Sequence, residues 1–298
     1  MAARRVLMVD PLGFRSNPET IEDNAFQGAR VEPDPARVET AARAEFQGLR
    51  DALLANGVEV HVHVPINAST PDAVFPNNWF TTSPDGTLVL YPMRAHNRRG
   101  ERWPTLVKWL GERYPTIVDL TGSETGGAFL EGTGSLVIDE PARIVYASVS
   151  SRTDPRLVSE WADRFGYAPH LFRAAGRDGR EVYHTNVVMG LGDGWAVVCG
   201  EAIRSPEDRA RIEESLARTD HEVVQITVDQ MHDFCGNVLG LENSKGERFI
   251  VMSERARRAF RPDQLAALSR HAEPLYVDLT TIETHGGGSA RCMLAELH

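Results

Sequence analysis

Short apolar runs separated by polar loops recur along this chain in a constant order. A β-rich run and a polar loop are followed by a second apolar run, a turn signal, a third strand pattern and a helix-period stretch. The turn signals are SPDG, DEPA, LGDG and NSKG, and the strand patterns after them are TLVLYPM, RIVYASV, WAVVCG and RFIVMS. Each unit therefore contains a predicted β-hairpin. The chain is predicted to be an α/β protein of strand, strand, strand and helix repeats.

The clearest repeat is the segment YPTIVDLTGSETGG at 114–127, which returns as PLYVDLTTIETHGGG at 274–288. Three weaker copies share its β-rich run, its polar loop and a short polar motif that opens the second apolar run. Aligned by eye, the equivalent positions are Asn78, Thr133, Asn186, Asn237 and Cys292, at spacings of 55, 53, 51 and 55 residues. This regular spacing predicts five structurally equivalent units.

Helical periodicity follows the hairpins at four places, and one of these helices has a clear N-terminal signal. Ser205 precedes a proline and two acidic residues, an order typical of the first turn of a helix. The four stretches are ERWPTLVKWLGERY, PRLVSEWADRF, PEDRARIEESLAR and RPDQLAALSRH.

The fifth unit ends soon after Cys292, without its last strand and helix, and the N-terminal segment offers both pieces. RRVLMVDP reads as a strand and ARVETAARAEFQGLRDALLANG as a helix with Gly57 as its C-cap. If this strand pairs with the last unit, the five units close into a ring with no exposed sheet edge. We therefore predict one domain over residues 1–298, closed by the N-terminal strand.

Composition narrows the class of partner. The formal net charge of -10 argues against nucleic acid or an anionic membrane as the main partner, because both attract basic surfaces. A small-molecule substrate fits better. No stretch approaches the roughly 20 apolar residues of a membrane helix, and the N-terminus lacks a signal-peptide pattern, so we expect a cytoplasmic protein. The three cysteines show no CxxC spacing and indicate free thiols.

Ring closure would bring the polar motifs together at one end of a central channel. The side chains that would meet there are Asn78, Glu131, His184, Asn186, Asn237 and Cys292. Cys292 is a candidate nucleophile, since a thiol beside a base can form the reactive thiolate. His184 can supply that base, and Glu131 can accept bonds from substrate N–H groups. Cys235 shares the motif layer and is the rival nucleophile.

The motifs FLEGTG, YHTN and GGGSARCM, in this order, resemble the pentein superfamily of guanidino-group-modifying enzymes. The resemblance covers essentially the whole chain and implies a five-fold pseudosymmetric α/β propeller. It also implies that Cys292 is the nucleophile, His184 the general acid and base, and Glu131 the carboxylate that holds the substrate head group. No metal or organic cofactor is implied.

Two departures from the superfamily pattern bear on the substrate. Penteins that act on guanidinium typically have aspartate where this chain has Asn78 and Asn186. Asparagine N–H groups can donate to the carbonyl oxygen of a neutral ureido group, which a carboxylate would repel. Asparagine at both positions therefore favours a ureido substrate, or an enzyme that must tolerate a ureido group as an intermediate. GFRSNPETIEDNAFQ and FPNNWFTT resemble the citrulline-hydrolysing, arginine-deiminase-related branch. This resemblance implies the reaction L-citrulline plus water to L-ornithine, ammonia and carbon dioxide.

The sequence identifies the residues that would bind the rest of the substrate less clearly. An α-carboxylate would be bound by arginine, and Arg94 and Arg152 follow strands near the motif layer. Arg291 adjoins the nucleophile, but strand neighbours alternate faces, so it can point away. Asn24, in the long loop 11–34, is a candidate lid residue, and Asn237 a further substrate-binding candidate.

Other functions remain open at this point. Arginine deiminase, arginine dihydrolase and dimethylarginine hydrolase are the nearest alternatives, and an amidinotransferase is a weaker one. From a different class, a catalytically silent pentein could be a binding protein. The sequence also leaves open a homo-oligomer.

Overall fold

The computed structural model describes residues 2–28 and 34–298. Its strands are β1 (Arg5–Val9), β2 (Glu59–His63), β3 (Phe80–Thr82), β4 (Thr87–Leu90), β5 (Thr116–Asp119), β6 (Val137–Asp139), β7 (Ile144–Ser148), β8 (Ala168–Phe172), β9 (Met189–Gly192), β10 (Trp195–Val198), β11 (Glu222–Gln225), β12 (Leu239–Glu242), β13 (Arg248–Ser253), β14 (Glu273–Val277) and β15 (Ala295–Leu297). Its helices are α1 (Pro35–Ala55), α2 (Pro104–Gly111), α3 (Gly132–Ser135), α4 (Pro155–Phe165), α5 (Thr185–Val188), α6 (Pro206–Arg218), α7 (Val228–His232), α8 (Glu254–Ala259), α9 (Pro262–Ser269) and α10 (Thr280–Gly286).

The strands form five three-stranded sheets with one common design. Within each sheet an inner strand runs antiparallel to the middle strand, and the middle strand pairs in parallel with an outer strand. The orders are β15-β1-β2, β3-β4-β5, β6-β7-β8, β9-β10-β11 and β12-β13-β14. The predicted hairpins are the antiparallel pairs of inner and middle strands. The fold is thus the predicted five-fold α/β propeller.

Closure of the propeller occurs through the N-terminal strand, as predicted. β1 pairs antiparallel with β15, placing Arg5 opposite Leu297 and Val6 opposite Glu296. On its other side β1 pairs in parallel with β2. The first 63 residues therefore supply two of the three strands in the sheet that carries the C-terminal motif, which brings Cys292 into the middle of the molecule. The prediction of a single domain stays a prediction.

The expectation that closure would leave no sheet edge is wrong. The five sheets stay separate, and each keeps the free edge of its outer strand. Side chains on three outer strands are well exposed, namely Val62 at 42%, Ile117 at 49% and Tyr276 at 41%. Neighbouring units pack by side-chain contact between their inner strands. Sheet hydrogen bonding ends at the edges of each three-stranded sheet, so the outer strand keeps one unpaired edge.

Helix ends follow the local signals closely. The Ser205 side chain accepts the backbone N–H of Asp208 at the start of α6. In α1, Asp34 is the N-cap and its carboxylate accepts two backbone N–H groups. α1 ends at Ala55 with Asn56 as its cap, one residue before the predicted Gly57, which adopts a left-handed φ of 77°. The buried stripe of α1 consists of Val38, Ala42, Phe46, Leu49 and Leu53.

Middle strands are buried along most of their length, with exposed first residues at Arg5 of β1 and Arg248 of β13. Every residue of β4 and of β10 is buried. Within the described parts of the chain, no helix combines the length and apolar character that crossing a membrane would require.

Candidate active site

A short segment precedes each inner strand and carries one of the five equivalent motif positions. It is a turn of helix at Asn78, Thr133 and Asn186, and a turn or loop at Asn237 and Cys292. Asn78 lies two residues before β3, Thr133 four before β6, Asn186 three before β9, Asn237 two before β12 and Cys292 three before β15. Because the inner strands surround one axis, these segments meet at one end of the channel. The convergence predicted from the repeat is therefore present.

Two glycines of the FLEGTG motif allow neighbouring turns to approach closely. Gly132 has a φ of 45°, and a Cβ there would lie 2.4 Å from the backbone oxygen of Asn77. A Cβ on Gly134 would lie 2.7 Å from both the Asn78 Nδ2 atom and the His184 ring. Larger residues at these positions would force the first and third units away from the second.

Glu131 and His184 form a buried pair at this end of the channel. The His184 Nε2 atom lies 2.9 Å from Glu131 Oε2, and both side chains are at most 2% exposed. The backbone N–H of Arg94 donates to Glu131 Oε1 at 3.0 Å, and Arg152 Nη1 lies 3.6 Å from Oε2. Burial alone would raise the pKa of Glu131, but Arg152, His184 and Arg98 outweigh it and lower that pKa to about 2. Glu131 is therefore ionised at neutral pH.

The protonation of His184 follows from this partner. Burial lowers the pKa of His184, and the favourable effect of Glu131 offsets only part of the shift. The imidazole is thus mainly neutral at pH 7. Since an ionised carboxylate can only accept, the Nε2 atom must carry the single proton. The Nδ1 atom is left with a free lone pair, as a general base requires.

Two asparagines hold the sulfur of Cys292. Asn237 Nδ2 lies 3.2 Å and Asn186 Nδ2 3.5 Å from the Sγ atom, and the thiol is only 3% exposed. Burial raises the pKa of Cys292, and the Asn237 bond, the Ser289 backbone and Arg291 counteract this in part. Without a ligand the residue is a thiol. The two amide donors would stabilise the thiolate once a base removes the proton.

Asn78 is oriented by a buried arginine that the sequence analysis missed. Arg98 Nη1 donates to Asn78 Oδ1 at 2.7 Å, and the same guanidinium is held by Glu101 through two bonds of 2.8 and 3.0 Å. Arg98 is 2% exposed and Glu101 is fully buried. A guanidinium can only donate, so this contact identifies the Asn78 oxygen. The Nδ2 group donates one of its two hydrogens to Asn77 Oδ1 at 2.9 Å.

Both arginines proposed for the α-carboxylate already bind a carboxylate of the chain. Asp23 Oδ1 lies 2.5 Å from Arg152 Nη2, and Asp23 Oδ2 lies 3.1 Å from Arg152 Nε and 3.0 Å from Arg94 Nη1. Burial would raise the pKa of Asp23, but Arg152 and Arg94 lower it overall. Arg152 also stacks over the Tyr183 ring, with 4.7 Å to the centroid.

The loop that carries Asp23 lies across the motif end. Asn24 donates from Nδ2 to the backbone oxygen of Gly286 at 3.2 Å, so it bonds the glycine run ahead of the nucleophile. Phe26 stacks on His232 with 4.8 Å between ring centroids. The lid was predicted within the loop 11–34. Residues 11–28 of this loop belong to the described structure, and residues 29–33 lie outside the described residues.

Other sequence candidates lie away from the reacting groups. Arg291 bonds the backbone oxygen of Leu294 and the carboxylate of Glu296, so it points away from Cys292. The thiol of Cys235, the rival nucleophile, donates to the backbone oxygen of Ala256 inside the core. Burial raises the pKa of both thiols. The carbonyl oxygen beside Cys235 would oppose a thiolate, whereas the two amide donors beside Cys292 favour one.

Several polar residues of the site gave no recognisable signal in the sequence. Asp72 is buried, and its Oδ2 atom accepts Asn17 Nδ2 at 2.7 Å, while its Oδ1 atom has no hydrogen-bond partner among the residues that the structure describes. Asp23 and Asp72 lie in loops, and Arg98 lies in the short 3-10 helix Asn97–Glu101, all outside the repeat motifs. The only local sign was the spacing of Arg98 and Glu101, which many exposed ion pairs share.

A cavity of the described structure lies at the opposite, hairpin end of the channel. Its volume is about 840 Å³, and Thr133, Asn186 and Arg291 contribute to its lining, whereas the Glu131 and Cys292 side chains do not. Among residues 2–28 and 34–298, no group of three or more His, Cys, Asp or Glu side chains is arranged to hold a metal ion.

Comparisons with known proteins agree with this geometry. The family described as "N,N dimethylarginine dimethylhydrolase, eukaryotic" matches residues 10–298. No curated protein matches the chain significantly. The N-terminal domain of ArgZ bound to product, from a cyanobacterial arginine dihydrolase, superposes with a TM-score of 0.77 at 18% identity, over 99% of this chain and 97% of that domain.

Two further solved structures share the fold. Unliganded AgrE gives a TM-score of 0.76 at 20% identity, over 99% of this chain and 39% of its own. A dimethylarginine dimethylaminohydrolase adduct with S-methyl-L-thiocitrulline gives 0.67 at 15% identity, with both chains covered completely. The chain spans 40% of the full-length ArgZ chain. Since the family match extends over nearly the whole sequence, the protein belongs to the N,N-dimethylarginine dimethylhydrolase family, within the pentein superfamily of guanidino-modifying enzymes.

Proposed function

We propose that this protein is a cysteine-dependent hydrolase that converts L-citrulline and water to L-ornithine, ammonia and carbon dioxide. The observation that carries the proposal is the orientation of Asn78. Arg98 occupies the asparagine oxygen, and one N–H of the Nδ2 group donates to Asn77 Oδ1, so the second N–H of Nδ2 is the group that can meet a substrate. A donor at this position suits the carbonyl oxygen of a ureido group and opposes the N–H groups of a guanidinium.

The charges around the head group support the same substrate class. Glu131 is ionised and accepts from His184 and from the Arg94 backbone. It can accept a further bond from one ureido N–H group. Asn186 and Asn237 contribute no charge to the layer. The site thus combines one carboxylate with neutral amides, which suits a neutral group with donors on one side and an acceptor on the other.

The first chemical step would form a covalent intermediate. His184 Nδ1 takes the thiol proton of Cys292, and the thiolate attacks the ureido carbon to give a tetrahedral oxyanion. The Asn78 Nδ2 group would donate to that oxygen. Collapse breaks the bond to the terminal nitrogen, which takes a proton from His184 and leaves as ammonia. An S-carbamoyl thioester on Cys292 remains, with the ornithine side chain on its nitrogen.

Hydrolysis would complete the reaction with the same residues. His184 removes a proton from water, the resulting hydroxide attacks the carbamoyl carbon, and the thiolate of Cys292 leaves. The released carbamate loses carbon dioxide and gives ornithine. The overall reaction consumes one water and balances without an oxidant or reductant.

The α-substituents of the substrate would bind at the rim of the site. Arg94 and Arg152 converge on one carboxylate in this structure, which is the arrangement that an α-carboxylate requires. Asp72 Oδ1 is buried without a hydrogen bond from the described parts of the chain and could accept a bond from the α-ammonium group. Asn24 would act indirectly by holding the loop against the glycine run.

Hydrolysis of dimethylarginine or arginine is the second candidate, and the family match favours it. Glu131 would bind guanidinium as well as a ureido group. Asn78 argues against this candidate, because its Nδ2 group is a donor and would face an N–H donor of the guanidinium group. The two candidates differ in their products, since dimethylarginine would yield citrulline and dimethylamine, and arginine would yield citrulline or, by a second hydrolysis, ornithine.

The test is to offer purified protein L-citrulline, L-arginine and dimethylarginine separately, and to measure ornithine, citrulline, ammonia and dimethylamine. We expect ornithine and ammonia from citrulline. Cys292→Ala should abolish this activity, whereas Cys235→Ala, a matched buried cysteine of the neighbouring motif, should retain it. Citrulline that accumulates from arginine or dimethylarginine without further consumption would overturn the ureido assignment.

A further inference from the structure

Asp23 makes the contacts that a bound α-carboxylate would make. Its two oxygens engage Arg152 through Nη2 at 2.5 Å and Nε at 3.1 Å, and its Oδ2 also engages Arg94 at 3.0 Å. The Ser151 hydroxyl adds a bond of 2.9 Å. Two-pronged recognition of this type is the usual way in which arginine binds a free carboxylate.

Arg94 and Arg152 cannot make the same contacts to the Asp23 carboxylate and to a substrate carboxylate at the same time. Arg152 is 3% exposed, and the donors not given to Asp23 face the Thr20 backbone oxygen and Glu131. A substrate carboxylate would therefore have to take over bonds that Asp23 holds. The exchange replaces one carboxylate with another, so it needs no net change in the charge around the two arginines.

The rest of the loop is attached independently of Asp23. Asn17 bonds Asp72 and Asn97 on one side, and Asn24 bonds the Gly286 backbone oxygen on the other. Phe26 packs on aromatic rings of the third and fourth units. Release of Asp23 would thus move a short stretch between fixed points, and the loop would stay in place.

We propose that Asp23 is an internal competitor for the α-carboxylate site. A ligand with an α-carboxylate exchanges with Asp23 and gains both arginines, so its affinity is lowered by the cost of releasing Asp23. A related amine without a carboxylate does not use the two arginines, so Asp23 does not compete with it. This inference rests on the proposed function only in taking amino acids as the ligands.

Direct binding tests the exchange without requiring turnover. Calorimetry would measure the affinity of L-ornithine, L-citrulline and L-arginine, with putrescine as the carboxylate-free counterpart of ornithine. The variants are Asp23→Asn, which keeps the shape and removes the charge, and Glu22→Gln, which removes the same charge from the exposed neighbour. For citrulline and arginine the variants are combined with Cys292→Ala, which removes the proposed nucleophile.

Asp23→Asn should tighten binding of the amino acids by about tenfold, because the competing state is no longer favoured and the fraction of competent protein rises. Putrescine should not bind more tightly, and Glu22→Gln should behave as the wild type. Weaker amino-acid binding in Asp23→Asn would overturn the proposal and make Asp23 a partner of the ammonium group. Equal binding, or no binding of any amino acid to either form, would also overturn it.

These outcomes are separable from failure of the proposed reaction. If citrulline is not hydrolysed but amino acids bind more tightly to Asp23→Asn, the exchange stands and the citrulline reaction fails. If citrulline is hydrolysed and Asp23→Asn has no effect on affinity, the reaction stands and the exchange fails. Thermal unfolding of Asp23→Asn establishes that the variant is folded.

Discussion

Arg98 donates to the side-chain oxygen of Asn78 from a guanidinium that is 2% exposed and clamped by Glu101. This contact converts an ambiguous asparagine into a defined hydrogen-bond donor. Through this contact the buried Arg98–Glu101 pair determines which atoms Asn78 offers to the substrate, and so affects the proposed preference for a ureido oxygen. Substitutions of Arg98 and Asn78 are therefore the most direct test of substrate choice.

Asn78→Asp should reduce kcat/KM for L-citrulline by about 100-fold. The new carboxylate would pair with Arg98 and would present an oxygen, in place of Nδ2, to the ureido carbonyl. Steady-state kinetics with citrulline and arginine measures the change. Asn67→Asp, on the exposed surface, is the control and should leave both substrates unaffected. An unchanged citrulline rate would show that Asn78 does not contact the ureido oxygen.

Arg98→Met should destabilise the fold and disturb Asn78. It leaves Glu101 buried without its partner, and breaking such a pair typically costs about 3–5 kcal/mol. Urea denaturation measures the free energy of unfolding.

The double variant Arg98→Met with Glu101→Leu removes both buried charges and should recover much of that stability. The preference for citrulline over arginine should stay reduced, because Asn78 then loses the bond that fixes its oxygen. If stability and preference recover together, Arg98 has a purely structural role.

His184 should titrate below the ordinary histidine pKa of about 6.5, because burial disfavours the imidazolium. Nuclear magnetic resonance of the imidazole measures this directly, and the acid limb of kcat/KM should lie in the same range. Glu131 favours the charged imidazole, so Glu131→Gln should lower the His184 pKa further. A rise of the pKa in that variant would contradict the hydrogen-bonded pair seen here.

Gly134→Ala should abolish most activity, because its Cβ would lie 2.7 Å from both Asn78 Nδ2 and the His184 ring. Gly122→Ala is the matched control in the same unit, since a Cβ there meets no atom within 4 Å. Comparing kcat and thermal unfolding of the two variants separates local displacement from general loss of stability. Full activity in Gly134→Ala would show that the turns tolerate separation.

Sequence patterns determined the repeat, the hairpins, most helix starts and the closure by the N-terminal strand. Hairpins and helix starts depend on periodicity or capping within about 20 residues, whereas the repeat and the closure followed from motifs that recur every 51 to 55 residues. The equivalence of Asn78, Asn186 and Cys292 also followed, because a constant position in a repeated unit implies a constant position around the ring.

Only the tertiary structure decided which side chains bond one another. His184 bonds Glu131 across 53 residues, Asn186 bonds Cys292 across 106, and Asp23 bonds Arg152 across 129. Such contacts depend on how neighbouring units rotate and on where irregular loops cross the channel, and no local periodicity encodes either. The exposed outer edges have the same origin, since a ring of separate three-stranded sheets closes by side-chain packing between units.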